Sequence, residues 1–355
     1  MKTIIFGAGG FIGSHLARRI SESGHRVTGV DLKLPEFSDS SCDHFLRGDL
    51  RNFQFVSEVV TSHALSLGSG EELRIYQLAA DMGGAGYVFS GENDAEIMLN
   101  SSSINANLVS VCRDLIRDGT VSATQLRIFY SSSACIYPED LQRSQDSVSL
   151  REEFAYPANP DSEYGWEKLF SERLYLAFGR NYGATVRIGR YHNIFGPEGT
   201  WRGGKEKAPA AICRKIAELP DQGGNIEVWG DGNQTRSFLY IRDCIDATLL
   251  LMDSNHAESL NIGSEEMVSI AELVRIVQKI SGKVVGMDFQ LDRPVGVAAR
   301  NSNNDQMRIQ LNWEPQTSLT EGLGEVYAWV QQELLKSFVP SPTIPSKSVV
   351  SGGKP

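Results

Sequence analysis

Nothing in this chain of 355 residues supplies a disulfide scaffold or a metal cage. Its five cysteines, Cys42, Cys112, Cys135, Cys213 and Cys244, are odd in number and widely spaced. They form no CxxC pair and have no matching histidine spacing, which excludes a disulfide framework and a structural zinc site, and no metal is expected. Long apolar runs are missing too. No uninterrupted stretch approaches the roughly 20 residues of a bilayer-spanning helix, so a membrane span is excluded. Positive charge is scarce, with 34 Lys and Arg against 44 Asp and Glu and a net charge of −10. That balance argues against nucleic acid or an anionic membrane surface as a partner, and any anionic ligand has to be held by a local constellation. The opening MKTIIFGAGG runs from an apolar stretch straight into glycines, without a signal-peptide core or cleavage site, the pattern of a cytoplasmic protein.

What is present is a long alternation. At about 150 residues per domain the length predicts two domains. Lys2–Phe6 reads as a strand, Ile12–Ser23 as a helix and Arg26–Asp31 as a second strand. Leu73–Gln77, Leu126–Ser131 and Ala184–Arg190 are further compact apolar strands of the kind buried on both faces. Between them lie long helical segments, about Asp94–Asp118 and Ser162–Tyr182. This order predicts an α/β fold with a Rossmann-type, doubly wound parallel sheet over about residues 1–190. Beyond that, glycine-rich loops (Gly196–Gly204, Gly223–Gly232) and shorter helices (Ala208–Glu218, Ser269–Ile280) predict a smaller α/β substrate domain over about 191–335, with some exchange of chain between the two. Residues 339–355 are rich in Pro, Ser and Gly with little to bury, and read as a disordered tail.

Strand Lys2–Phe6 enters Gly7-Ala8-Gly9-Gly10-Phe11-Ile12-Gly13, and an amphipathic helix follows at once. Glycines there permit a tight turn and close backbone approach, which sets a pyrophosphate on the helix N-terminus. Asp31 closes the second strand at the distance where a carboxylate accepts hydrogen bonds from the adenosine ribose and repels a 2′-phosphate, which points to NAD over NADP, with nearby Lys33 tempering the preference. Gly7, Gly10, Phe11, Ile12, Gly13 and Asp31 are therefore cofactor candidates. Asp49 after the next strand either reaches the adenine amino group or caps a helix.

Tyr164 and Lys168 stand four apart on one helix face, a spacing at which the ammonium lowers the phenol pKa and reaches the cofactor ribose. A phenolate is a competent base for a hydroxyl proton during hydride transfer to NAD. Ser131-Ser132-Ser133-Ala134-Cys135 directly follows strand Leu126–Tyr130, where hydroxyls face a nicotinamide. The combination resembles the extended short-chain dehydrogenase/reductase family, with Ser133, Tyr164 and Lys168 matching its catalytic trio.

The resemblance narrows through LAADMGG at Leu78–Gly84, SSACIYP at Ser132–Pro138, RYHNIFGP at Arg190–Pro197, GGKEKAPAA at Gly203–Ala211 and QTRSF at Gln234–Phe238. Together, over about residues 1–335, these are similar to the GDP-mannose 3,5-epimerase family. A stereocentre beside neither carbonyl nor nitrogen does not invert by proton transfer alone, so NAD first has to oxidise C4 to a ketone, which acidifies the protons on C3 and C5. One group then removes each proton and another returns it from the opposite face. The resemblance implies Cys135 and Lys207 in these roles, with the other four cysteines structural. It further implies Gly83, Ser133, Ala134 and Ala208 around the reacting sugar and Asn193 and Glu206 on its hydroxyls. Lys215, Gln234, Thr235, Arg236 and Arg300 fall to the nucleotide side, the three cations neutralising its diphosphate. His192, with no metal partner, reads as structural. The implied substrate is a GDP-sugar and the implied assembly a homodimer paired through the two long helices.

Three features depart from the family pattern: Ala298 where a further arginine is usual, the segment Tyr87–Met98, and an inserted loop at Leu65–Glu71. They bear on nucleotide affinity and product ratio more than on reaction type. Two rivals stand beside this reading. The first is a single-centre epimerase or a dehydratase of the same family, and a dehydratase would carry acidic residues beside the strand-end serine, where Ala134 and Cys135 stand. A catalytically silent NAD-binding regulator would show a broken Ser133/Tyr164/Lys168 set, and all three are present.

Overall fold

The computed structural model describes residues 1–83, 85–144, 149–293 and 296–338. The expected tail at 339–355 and Gly84 of the AADMGG motif lie outside the described residues. Seven parallel strands form the main sheet, in the order β11-β6-β5-β4-β1-β2-β3. In chain order these and their helices are β1 (Lys2–Phe6), α1 (Phe11–Glu22), β2 (Val27–Asp31), β3 (His44–Arg47), α2 (Phe53–Leu65), β4 (Leu73–Gln77), a short α3 (Ala85–Val88), α4 (Asp94–Arg117), β5 (Leu126–Ser133), α5 (Glu163–Tyr182) and β6 (Thr185–Tyr191).

Successive side chains on these strands go to opposite faces, and both faces are dry. On β1, Ile5 joins the core beneath α1 while Ile4 and Phe6 join the one beneath α2, α4 and α5. Tyr76 and Ile75 on β4, and Phe129 and Ile128 on β5, divide in the same way. A strand buried on both sides has no polar alternation, which is why these runs read as continuous apolar stretches.

The chain after residue 191 forms β7 (Ile194–Phe195), α6 (Ala208–Ala217), β8 (Gly224–Trp229), β9 (Thr235–Ser237), β10 (Leu239–Tyr240), α7 (Ile241–Asp253), β11 (Ser259–Ile262), β12 (Met267–Ser269), α8 (Ile270–Ser281), β13 (Val285–Gln290), β14 (Ala299–Arg300), α9 (Asp305–Leu311) and α10 (Leu319–Phe338). Its small sheets are β10-β7, β12-β9-β14 and β13-β8. Local capping sets the helix ends: the Ser269 hydroxyl accepts from Glu272 N–H while the Glu272 carboxylate accepts from Ser269 N–H, starting α8, and Gly183 in the left-handed region stops α5.

Chain from beyond residue 191 crosses back into the main sheet. β11 returns to pair with β6 in parallel, Ser259 opposite Ile188 and Ile262 opposite Tyr191, and thereby extends the main sheet. Burial drives the exchange, because Leu260 and Ile262 are fully covered there. Strand order reverses between β1 and β4, and a parallel sheet opens its ligand crevice at the carboxyl ends of the strands on either side of such a point.

Candidate active site

The glycine turn lies at that crevice. Gly7 has φ +89°, and a Cβ at Gly9 would stand 1.9 Å from the Lys33 carbonyl oxygen and one at Gly13 2.0 Å from that of Gly7. Only glycine fits these positions, and the backbone is left bare to a ligand. No side chain caps α1 at Gly10 and no acidic residue sits in its first turn, so the free N–H groups and positive end of the helix remain available to a pyrophosphate. Asp31 Oδ2 accepts from Gly9 N–H at 3.0 Å, which braces the carboxylate beside the turn. These features fit NAD. Phe11 packs under the Gly196–Gly199 loop, and His15 Nε2 meets the Pro197 carbonyl at 3.1 Å, tying the turn to the later half of the chain.

Asp49 is not the cap of α2: that is Asn52, whose side chain accepts from Phe55 N–H. Arg51 donates to the Asp49 carboxylate through Nε and Nη2, at 3.0 and 2.7 Å, and lowers it from the usual carboxylate value.

The candidate redox residues converge where β5 ends. Ser133 Oγ accepts from Cys135 N–H at 3.2 Å and shapes the 3-10 turn Ala134–Ile136. Ser162 caps α5 by accepting from Gly165 N–H, so Tyr164 and Lys168 issue from the first turns of that helix. Lys168 is buried, donates from Nζ to the Ser131 carbonyl at 2.8 Å, and lies 5.7 Å from the Tyr164 ring centre.

One expectation is corrected. Burial, reinforced by the charges of Cys135 and Glu167, pushes the Tyr164 phenol well above its ordinary value, and only the Ser133 hydroxyl opposes this. Burial equally lowers the Lys168 ammonium. The spacing promised an effect that desolvation outweighs in the cofactor-free chain.

Cys135 Sγ accepts from Arg300 Nη1 at 3.3 Å. Arg300 Nε donates to Gln142 Oε1 at 2.6 Å, and its Nη2 is paired with buried Asp161. Arg300 therefore departs from the role of diphosphate ligand: its guanidinium is enclosed beside the thiol. Burial is the main cause that raises the Cys135 thiol, followed by Asp161, while Arg300 and the Ser133 hydroxyl lower it.

Lys207, the residue preceding α6, is exposed as a residue, while its ammonium lies within reach of the charges of Cys135 and Cys244. Surrounding protein lowers its ammonium, and the charges of Cys135 and Cys244 act in the other direction. Arg236 on β9 is lowered to about 10 by burial and then by the charge of Arg300, and it too feels Cys135. Tyr164, Lys168, Lys207, Arg236 and Arg300 thus share one electrostatic neighbourhood with the thiol. Buried hydroxyls at Ser132 and Thr235 have no protein partner, leaving polar groups for a ligand to meet.

Other sugar and nucleotide candidates are occupied within the chain. Glu206 pairs with Arg214 at 3.2 Å and accepts from Gly204 N–H. Lys215 Nζ donates to the Glu227 carbonyl at 2.7 Å and Gln234 Nε2 to that of Trp229 at 2.8 Å. Asn193, at φ +41°, donates from Nδ2 to the Ser237 carbonyl. Gly83 lies under Tyr87, whose ring carries Lys205 Nζ at 4.2 Å. His192 is structural, as expected, with Nε2 on Asn261 Oδ1 at 3.0 Å.

Several participants escaped the sequence reading. Val88 and Ile97 form one cluster with Tyr164, packed by Tyr87, Phe89 and Cys135, so the segment that departs from the family pattern is a wall of the centre. Asp161 had one available signal, an acid three residues before Tyr164. Gln142 had none.

The NAD dependent epimerase/dehydratase family matches residues 3–263. GDP-mannose 3,5-epimerase of Arabidopsis thaliana is 42% identical over 338 residues, covering 95% of this chain and 84% of that protein. GDP-mannose 3,5-epimerase 1 of Oryza sativa subsp. japonica is 40% identical over 95% of this chain and 83% of its own. Among solved structures, UDP-glucose 4-epimerase from Thermotoga maritima superposes with TM-score 0.79 at 23% identity, covering 94% of this chain and all (100%) of that one. UDP-glucuronic acid 4-epimerase from Bacillus cereus, crystallised with UDP-glucuronic acid and NAD, gives TM-score 0.75 at 25% identity over 94% of this chain and 100% of its own. With the glycine turn, the grouping of Ser133 with buried Tyr164 and Lys168 and these likenesses together, the chain belongs to the NAD-dependent epimerase/dehydratase family and, within it, to the GDP-mannose 3,5-epimerases.

Proposed function

We propose that this isomerase converts GDP-α-D-mannose to GDP-L-galactose, with GDP-L-gulose as the product of inversion at C5 alone. The observation that carries the reading is the meeting of a thiol, Cys135, and an amine, Lys207, in one electrostatic neighbourhood with Tyr164 and Lys168. A simple dehydrogenase needs only the last two.

NAD, when bound, supplies reversible oxidation of the sugar at C4. Tyr164 takes and returns the C4 hydroxyl proton, Lys168 steadies it and holds the cofactor ribose, and Ser133 orients the hydroxyl. Cys135 and Lys207 exchange protons at C5 and C3 from opposite faces of the ring. The thiol is raised and the ammonium lowered, so a neutral amine and a neutral thiol can serve as base and acid; one proton taken from carbon and one returned leaves an ammonium and a thiolate, opposite charges within reach of each other. Arg236, nearby on β9, and Lys215, farther out, are assigned to the nucleotide diphosphate.

The cytoplasm is the proposed location; among the described residues no helix is long and apolar enough to cross a membrane. A homodimer is supported by large apolar side chains left exposed on α4 and α5, Leu99 at 62%, Phe170 at 55% and Trp166 at 40%. The deciding experiment incubates the protein with GDP-mannose in deuterated water and follows C3 and C5 by NMR. Deuterium at both carbons, with no net NADH, is the expected result. Stoichiometric NADH would instead mark a dehydrogenase, and exchange at one carbon only a single-centre epimerase.

A further inference from the structure

We propose that Asp161 is a positioning residue for Cys135: through Arg300, which it holds against the sulfur and whose charge it partly cancels, it sets how readily the thiol gives up its proton. The inference rests on the assignment of Cys135 to proton transfer and adds a residue that neither the motif spacing nor the family resemblance singled out.

The geometry is a three-point clamp. Arg300 extends from β14, and its guanidinium spends Nε on Gln142, Nη2 on Asp161 and Nη1 on the Cys135 sulfur. Gln142 is itself fixed, donating to the carbonyls of Tyr137 and Pro138 and accepting Ala298 N–H on its own carbonyl. The Asp161 side chain is 1% exposed, and its second oxygen accepts from the Ser162 hydroxyl at 2.8 Å. The fork has no slack, because a planar guanidinium held at two edges fixes the direction of the third. Ser162 also caps α5, so the same short segment orients Tyr164 and, by way of Asp161, Arg300.

Electrostatics makes the clamp more than a brace. A bare guanidinium at 3.3 Å would draw the thiol toward thiolate; a carboxylate on its far side opposes that pull. The other charged or titratable groups bearing on the sulfur are Tyr164 and Lys168 from α5, Lys207 ahead of α6 and Arg236 from β9. Asp161 is the one carboxylate among the groups that bear most directly on Cys135. Asp161 and Arg300 should consequently move the thiol in opposite directions, which a purely structural pair would not do.

The test uses the NAD-loaded enzyme and reads the pH dependence of iodoacetamide alkylation at Cys135 by peptide mapping; Cys112, Cys213 and Cys244 are buried, and Cys42 is distinguished by its peptide. Asp161→Asn keeps the shape and removes the charge, and the alkylation midpoint should fall by about one pH unit or more, the scale of one neighbouring charge. Arg300→Gln should raise it by a similar amount. No shift in Asp161→Asn, or a shift of both variants in the same direction, overturns the proposal. Should Asp161→Asn fail to fold, Arg300→Gln decides, an unchanged or lowered midpoint counting against it. Alkylation needs no turnover, so opposite shifts in a protein whose Cys135→Ala variant still exchanges both carbons would sustain the clamp and sink the catalytic assignment.

Discussion

Gly165 and Cys135 meet through their backbones: a Cβ placed on Gly165 would stand 2.1 Å from the Cys135 carbonyl oxygen. The first turn of α5 is therefore pressed directly onto the turn that ends β5, and this contact brings the phenol, the thiol and the strand-end serine into one site. Gly165→Ala should push the two segments apart, costing about 1–3 kcal/mol as an overpacked contact does, and epimerisation should fall further than stability alone explains. Thermal unfolding beside C3 and C5 deuterium exchange measures both effects, and full exchange at unchanged stability would show that the contact is not needed.

Tyr164→Phe keeps the packed ring and removes the hydroxyl that handles the C4 proton. Exchange at C3 and C5 should decline together by about two to four orders of magnitude, the usual scale for a positioned acid or base. Retained NAD, read after gel filtration and denaturation, checks that the cofactor site is intact. Near-normal deuterium at either carbon would contradict a route through a C4 ketone.

Cys135→Ala and Lys207→Ala should separate oxidation from proton transfer. Each leaves Ser133, Tyr164 and Lys168 in place, so bound NADH should still form on mixing with GDP-mannose while exchange at carbon is lost. Lys207→Ala should also bind substrate more weakly, having lost a cation at the cleft. If Cys135→Ala exchanges both protons at the wild-type rate, the thiol is a packing residue.

A third kind of measurement concerns acid stability. His192 is fully buried, and burial lowers it to about 3, with the charges of Arg300 and Arg190 acting in the same direction. In the unfolded chain it titrates near 6.5. Between these values the unfolded state binds a proton that the folded state refuses, so stability falls as pH drops below about 6.5, by about 1.4 kcal/mol per pH unit from this group alone. Urea unfolding at pH 7 and pH 5 should show that loss in the native chain and a shallower one in His192→Gln, whatever the absolute stability of the variant. Equal slopes would mean that His192 is charged in the folded protein.

Much of the architecture was legible because it is local. β1 and α1 meet around a turn that only glycine permits, and Ser162, Ser269 and Gly183 mark helix ends within a few residues of the groups they satisfy. The doubly buried strands announced themselves as compact apolar runs, since Ile4, Ile5, Phe6, Ile75, Tyr76, Ile128 and Phe129 fill cores on both faces of β1, β4 and β5. Tyr164 and Lys168 likewise lie one helical turn apart, so their shared face follows from helix geometry.

Tertiary structure decided the remainder, because the deciding forces act between positions that the chain holds far apart. The Arg300 and Cys135 positions are separated by 165 residues and those of Arg300 and Gln142 by 158, and no periodicity or spacing encodes either contact. Spacing suggested a lowered Tyr164 phenol, but burial reverses the sign, and burial is a property of the assembled fold. Asp49 is taken by Arg51 and Glu206 by Arg214, each a competition among nearby partners that composition leaves open. By itself the sequence determined a dinucleotide fold and the residue types proposed for redox and proton transfer; packing determined which of them come together, and there the cost of an uncompensated charge sets what each can do.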